Sequence, residues 1–469
     1  MNVYLATLIG YSVVLVGVGL LVGRKVKSAS DFLVGGRRFG PGRIFATFLA
    51  ANIGAGSTVG ASGLGYRFGL SAWWWVGSAA IGTFFLATAV GPKLWQLASA
   101  HQLHTLGDFW EFRYSKAVKA VIAVLLWLGT LSILAGQLIA ISWILNVVIG
   151  LPKWQGCLAG GLVAVIYCSA GGLASATIVN MIELAVTMTG LLISLPFAIE
   201  TLGGWQAFLD RLSVHAGPAR AAELLSFTAV GGKQILAYVA ILVPSFIVSP
   251  GLVQKLYGAK NAATVRRGVG LNSLAQFAFA IVPPLFGLLA LSRFPDLENP
   301  ELALPTVMMK MLPKWLGLWA LASIFSAELS ATDAILFMLS TSLAVDLYKT
   351  FLNPGVAQRR LLAVSRLTAV IAGTAGVALA IVLPSIISAV TIFYSLLAVA
   401  LFVPVIFGLY WRRMSTGAAL ACIFAAVAVT ALLTYGTTGK GVGFFSPPAA
   451  GIAVALVVAV LVSRYRVSA

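Results

Sequence analysis

Three carboxylates lie deep in apolar sequence: Glu183, Glu328 and Asp333. On insertion scales a charge at the bilayer centre costs about 2.5–3.5 kcal/mol, so such a group is usually functional or paired. Glu328 and Asp333 share the run Ser326-Ala327-Glu328-Leu329-Ser330-Ala331-Thr332-Asp333. On a helix, Ala327, Ser330 and Asp333 recur every three residues and share one face. Glu328 falls about 100° round from Ala327, in line with Thr332. A small residue, a hydroxyl and a carboxylate on one stripe offer oxygens to a small hard cation. The amides of Asn52 and Gln137, also in apolar runs, need polar partners.

The elements that must hold these groups are long apolar helices. Of 469 residues, 60% are hydrophobic and 9% charged, whereas soluble domains run near 25% charged. One large water-soluble globule is excluded, and so is a disordered chain. Apolar runs give about 13 candidate helices, over 3–23, 42–69, 71–97, 119–149, 154–171, 177–200, 233–256, 264–292, 313–346, 360–382, 385–411, 415–438 and 446–464. The first run is too long for a signal peptide and lacks a small-residue cleavage site, so it reads as a retained helix. The longest connection, 201–232, carries one surface helix around Trp205–Leu212. No connection is long enough for a separate soluble domain.

The net charge of +18 does not indicate nucleic acid, because the basic residues form no block or aromatic-interleaved patch. They cluster in alternate gaps, such as Arg37, Arg38 and Arg43, then Lys116 and Lys119, then Lys255, Lys260, Arg266 and Arg267. The positive-inside rule then places the N-terminus outside and the C-terminus in the cytoplasm. Cys157, Cys168 and Cys422 lie in apolar runs at none of the spacings used for metals, and read as buried free thiols. His101, His104 and His215 fall in connections, with no zinc-like grouping.

Two spans look interrupted. The run 42–69 contains Asn52-Ile53-Gly54-Ala55-Gly56-Ser57-Thr58, and the run 233–256 contains Ser249-Pro250-Gly251. Proline removes a donor and glycine lowers helix propensity. Broken helices at matching places in two halves point to a transporter binding site. The two breaks open successive sets of about five helices, and an odd number per repeat makes the repeats inverted in the membrane.

The chain resembles the sodium/solute symporter family over nearly its whole length. The resemblance rests on Ala50-Ala51-Asn52-Ile53 followed by Gly63-Leu64-Gly65-Tyr66, on Gln254-Lys255-Leu256-Tyr257-Gly258-Ala259-Lys260, and on the run from Ser326 to Asp333 closed by Asp346-Leu347-Tyr348-Lys349. Gln137 and Gly171-Gly172-Leu173 also fit. It implies an all-α polytopic membrane protein of the LeuT type with a five-plus-five inverted repeat. One extra helix (3–23) precedes the repeats (42–200 and 233–411), and two (415–464) follow them. It implies a Na⁺ site at the carbonyls of Ala50, Ile53 and Ala327 and the Ser330 hydroxyl. The family's second hydroxyl is replaced by Ala331, a gap that Asp333 or water would fill. Asn180 stands where many members have Asp, and Glu183 where they have Gln, so a second sodium site is not expected. The resemblance places substrate at the midplane, with Asn52, Ser57, Gln137 and Ser249 as polar contacts. The aromatics Trp73–Trp75, Trp74 among them, and Tyr394 are candidate walls. For the three tryptophans an interfacial belt is the competing reading.

The expected function is cation-coupled symport of a small organic solute by alternating access in the cytoplasmic membrane, with Na⁺ as coupling ion. The protein's other partner is membrane lipid, and it needs no cofactor. The alternative is a proton-coupled symporter or uniporter on the same scaffold using Glu328 and Asp333, with Glu328 and Glu183 as candidate proton or coupling sites. A channel would need a filter motif and an enzyme a catalytic grouping; neither is visible. Gly54-Ala55-Gly56 lacks the Lys of a phosphate loop.

Overall fold

The computed structural model describes residues 2–23, 37–103, 105–353, 355–411 and 413–465, and the backbone alone over 166–179 and at scattered positions near 16–23 and 337–362. Among the described residues there are 10 helical stretches long and apolar enough to cross a membrane. Of the three expected runs not among them, 3–23 and 154–171 extend into residues whose side chains are not described, and 42–69 has a local cause. The run 42–69 is split so early that its first half has 12 residues. Its second half continues into the next span as one stretch, Val59–Ala100. His104, Arg412 and the basic cluster Arg24, Lys25 and Lys27 lie outside the described residues, as do the side chains of Cys168, Leu173 and Asp346.

In chain order the helices are α1 (Val3–Gly23), α2 (Pro41–Asn52), α3 (Val59–Phe68), α4 (Trp73–Phe85), α5 (Gly91–Ala100), α6 (Leu106–Arg113) and α7 (Lys116–Ile149). Next come α8 (Lys153–Glu200), α9 (Trp205–Ala216), α10 (Pro218–Leu224), α11 (Gly232–Val248), α12 (Pro250–Tyr257), α13 (Ala262–Phe279) and α14 (Val282–Arg293). The rest are α15 (Ala303–Lys310), α16 (Lys314–Thr341), α17 (Gln358–Val382), α18 (Ile386–Tyr410), α19 (Thr416–Gly436) and α20 (Pro447–Tyr465). The surface helix expected around Trp205 is α9, buried through Phe208 and Leu212.

Helix α8 is assigned over 48 residues without interruption, where the sequence suggests two spans. A straight helix of that length would run roughly 70 Å, more than twice the hydrocarbon core. The neighbours resolve this. Gly161 packs on Val377 and Gly373 on Val165, so the first half runs antiparallel to α17. Thr187 donates to the Ser323 carbonyl at 3.0 Å, and Phe197 meets Trp315 edge-on, so the second half runs antiparallel to α16. Helices α16 and α17 are themselves antiparallel, with Thr368 bonded to the Ser340 carbonyl and Gly373 facing Leu336. The halves of α8 therefore run in opposite senses, as two spans would.

Small residues let backbones close together. A Cβ on Gly287 of α14 would stand 2.2 Å from the Ser62 carbonyl oxygen of α3, and one on Gly65 would stand 2.5 Å from Pro284 Cα. Such contacts are how apolar helices associate where lipid offers no hydrophobic drive. Near the Lys116 end of the molecule, the segment before α2 pairs with the turn after α12. Phe39 N–H donates to Gly258 O at 2.9 Å, and Lys260 N–H donates back to Phe39 O at 3.1 Å. Lys255 Nζ adds a bond to the Thr47 carbonyl at 3.0 Å.

Candidate functional site

Both expected breaks are present. Helix α2 stops at Asn52 because Ile53 is extended (φ −105°, ψ 107°), and α3 begins only after Thr58. Helix α11 stops at Ser249, and Pro250, which has no N–H to give, starts α12. Gly54 is required by close approach: a Cβ there would lie 3.0 Å from Ala331 Cβ and 3.1 Å from Gln137 Oε1.

Side chains replace the lost helical bonds of the first break. Ser57 Oγ accepts from Gly54 N–H and donates to the Asn52 carbonyl, each at 3.0 Å. Gln137 Oε1 on α7 accepts from Ala55 N–H at 2.9 Å. Thr58 Oγ1 donates to the Glu328 carboxylate at 2.8 Å, and that carboxylate also takes the Ala55 backbone as partner. Trp75 Nε1 donates to Gly56 O at 2.9 Å. Asn52 does not point into open space. Its Nδ2 donates to Gln276 Oε1 on α13 at 3.2 Å, and Thr83 shares that oxygen.

The three acids separate into two places. Glu328 is fully buried and faces the first break, and its Oε2 has no hydrogen-bond partner among the described residues. Glu183 of α8 is 1% exposed, hydrogen-bonds Ser330, and lies within electrostatic reach of Asp333. Tyr11 of α1 bonds Ser326 at 2.5 Å, and Ser326 in turn reaches the Glu183 carbonyl at 3.4 Å. The structure thus gathers Glu183, Ser330 and Asp333 at the α8–α16 contact. Ala331 and Glu328 face the break formed by α2 and α3, to which Ala50 and Ile53 belong.

Among the aromatics, Trp75 is the one at the break, edge-on to Tyr238 (5.4 Å) and Tyr394 (6.2 Å), with Phe246 5.3 Å from Tyr394. Trp74 faces elsewhere: its Nε1 donates to Phe227 O at an exposed position, and its ring stacks edge-on with Trp73. Ser249 contributes its carbonyl to Val253 N–H. The contact between α11 and α18 runs instead through Ser245, bonded to Tyr394 O at 2.6 Å. Gln276, Thr58 and Tyr238 belong to the neighbourhood without having been singled out. Gln276 carried the same signal as Asn52, an amide inside an apolar run.

The two ends of the bundle differ. At the Lys116 end an open cleft is lined by Trp110, Lys119, Trp127, Pro250, Gln254 and Met338, and so reaches the break between α11 and α12. Lys119, 6% exposed, is held there by Glu111 (3.0 Å) and Asp108 (3.7 Å). At the opposite end Glu301, in the turn before α15, closes over α3, α7 and α18. It accepts from Trp143 Nε1 at 2.9 Å and from Ile386 N–H at 2.7 Å. Burial raises its carboxyl above the ordinary value, and these hydrogen bonds oppose that shift.

An all-helical membrane protein with two broken helices meeting a polar centre is built as a secondary transporter. The Sodium:solute symporter family model matches residues 32–425, and the chain belongs to that family. It is 23% identical to a sodium/glucose cotransporter of Vibrio parahaemolyticus, over 91% of this chain and 84% of that one. To a sodium/pantothenate symporter of Escherichia coli it is 26% identical, over 91% and 89%. The fold matches that of a Na⁺-coupled sialic acid symporter in a substrate-bound outward-open state, with a TM-score of 0.81 at 17% identity, covering 99% of this chain and 98% of that one. That neighbour has the LeuT-type fold, and the family consists of transporters rather than enzymes.

Proposed function

We propose that the chain is a Na⁺-coupled symporter that carries a small organic solute inward across the cytoplasmic membrane by alternating access. The single observation behind this reading is the break between α2 and α3, set against α16 and matched by the break between α11 and α12. It rests on thirteen spans in an N-out, C-in orientation, with 42–200 and 233–411 as inverted repeats around the breaks. In this orientation the Lys116 cleft faces the cytoplasm and the Glu301 turn lies outside. Na⁺ is held by the carbonyls of Ala50, Ile53 and Ala327 and the Ser330 hydroxyl, with Asp333 or water supplying further oxygen. Solute lies between the breaks, in reach of Asn52, Ser57, Gln137, Ser249 and Tyr394, with Trp75 in place of Trp74 as the aromatic wall.

Uptake into proteoliposomes tests this directly. An inward Na⁺ gradient at symmetric pH should drive accumulation of solute. Accumulation driven solely by a pH gradient would replace Na⁺ coupling with the proton reading, in which Glu328 or Glu183 carries H⁺.

A further inference from the structure

Helix α1 precedes both proposed repeats, yet it bonds directly to the helix that carries Ser330. One stripe of α1 faces the bundle. Leu8 and Leu15 are buried, and Tyr11 lies between them at helical spacing, while Ile9, Val13 and Val14 on the other side are exposed. Just before the helix, Asn2 Nδ2 donates to the Val148 carbonyl of α7 at 2.7 Å and fixes where α1 begins.

A phenol hydroxyl turned into an apolar bundle needs a partner, and Tyr11 finds one on α16. Its hydroxyl stands 2.5 Å from Ser326 Oγ, and Ser326 Oγ donates to the Glu183 carbonyl at 3.4 Å. With the serine proton directed to that carbonyl, Tyr11 is the donor in the short contact. Ser326 and Ser330 are four residues apart and share a face of α16. Glu183 meets both: its backbone carbonyl takes Ser326, and its side chain bonds Ser330. One turn along α8, Thr187 donates to the Ser323 carbonyl at 3.0 Å and holds the same antiparallel register. A chain of hydrogen bonds thus runs from α1 through α16 to α8, and returns to the Ser330 hydroxyl.

We infer that Tyr11 is a positioning residue for the cation site. Its hydroxyl keeps Ser326 on the Glu183 carbonyl, and Glu183 in turn orients the Ser330 hydroxyl, leaving an oxygen lone pair for the ion. Without that donor, Ser326 is free to turn to the carbonyl four residues back on its own helix, that of Ala322, as serines within helices do. Glu183 then loses one of its two holds on α16. This rests on the Na⁺ reading proposed above, in which Ser330 is a ligand, and it brings into the site a helix that belongs to neither break.

The test uses the full-length protein in detergent, titrated with Na⁺ against K⁺ at constant ionic strength, with the rise in Tm as the measure of binding. Tyr11→Phe, which keeps the ring and removes only the hydroxyl, should weaken Na⁺ by about two- to thirtyfold. Ser326→Ala should do the same, and the double variant should lose no more than either alone, because both break one chain. Leu15→Ala, on the same stripe of α1, should lower the Tm and leave the Na⁺ affinity as it was. Unchanged Na⁺ affinity in Tyr11→Phe, additive losses in the double variant, or an equal loss in Leu15→Ala overturns the inference. If Tyr11→Phe does not fold, Ser326→Ala against Leu15→Ala decides. A wild type that responds to Na⁺ no more than to K⁺ would instead sink the Na⁺ reading, and the inference with it.

Discussion

The Glu301 carboxylate meets the Ile386 N–H at 2.7 Å, so one side chain from the turn before α15 secures the first turn of α18. Its other oxygen holds Trp143 of α7. Ser385 caps the same helix start through Ser388, leaving Ile386 N–H for the acid, and a carboxylate there also complements the helix dipole.

Glu301 should make stability depend on pH. Its carboxyl is raised by burial, so the folded protein binds the proton more tightly than the unfolded chain. The stability that this contributes is fully present below the ordinary carboxylate value and is lost as pH rises through the raised one. The Tm of the wild type should therefore fall relative to Glu301→Gln as pH is taken upward from about 4.5. Parallel Tm curves for the two proteins would show that the carboxyl does not titrate in the folded state.

Ser330→Ala should remove Na⁺ dependence and leave the fold intact, since Ala is the better helix former. The apparent Na⁺ affinity, read from uptake, should drop by about tenfold or more. Glu183→Gln should lower it as well, because Glu183 holds the Ser330 hydroxyl. An unaltered Na⁺ activation curve in Ser330→Ala would remove Ser330 from the ion site.

Asn52→Ala should raise the KM for solute more than it alters Na⁺ affinity. Asn52 and Gln276 are bonded at 3.2 Å, so Gln276→Ala should act in the same direction. The double variant should depart from additivity by about 0.5–3 kcal/mol, as touching pairs do. Strict additivity in a KM-based cycle would mean that the two amides act independently.

Gly287→Ala should destabilise, because its Cβ would stand 2.2 Å from the Ser62 carbonyl oxygen. Overpacking of this kind costs about 1–3 kcal/mol. Gly270→Ala, where nothing lies within 4 Å, is the control and should hold or raise the Tm.

The breaks were legible because backbone chemistry writes itself into composition: Gly54, Gly56, Pro250 and Gly251 can be read without a partner in view. The helical spans were legible for the same reason, through the bilayer's demand for apolar length. Side-chain direction was not. The pattern placed Ser330 and Asp333 on one face, but which neighbour that face meets depends on the packing of α8, and Glu183 occupies it. Nor could spacing choose Trp75 over Trp74, since consecutive helical residues differ by about 100° and the choice depends on where α4 is rotated. Glu301 was missed because it lies in a short connection, where a carboxylate normally means only solvent.

The paired segments at Phe39, Gly258 and Lys260, with Lys255 on the Thr47 carbonyl, fasten α2 to α12 at one end. A carrier with two separately hinged gates can leak when one half-helix swings while the other stays, letting ion pass without cargo. On the symport reading, half-helices fastened together would have one mode of motion in place of two. The half-swung state would then be suppressed by the backbone itself, and tightness of coupling would be a mechanical property before it is a matter of affinity.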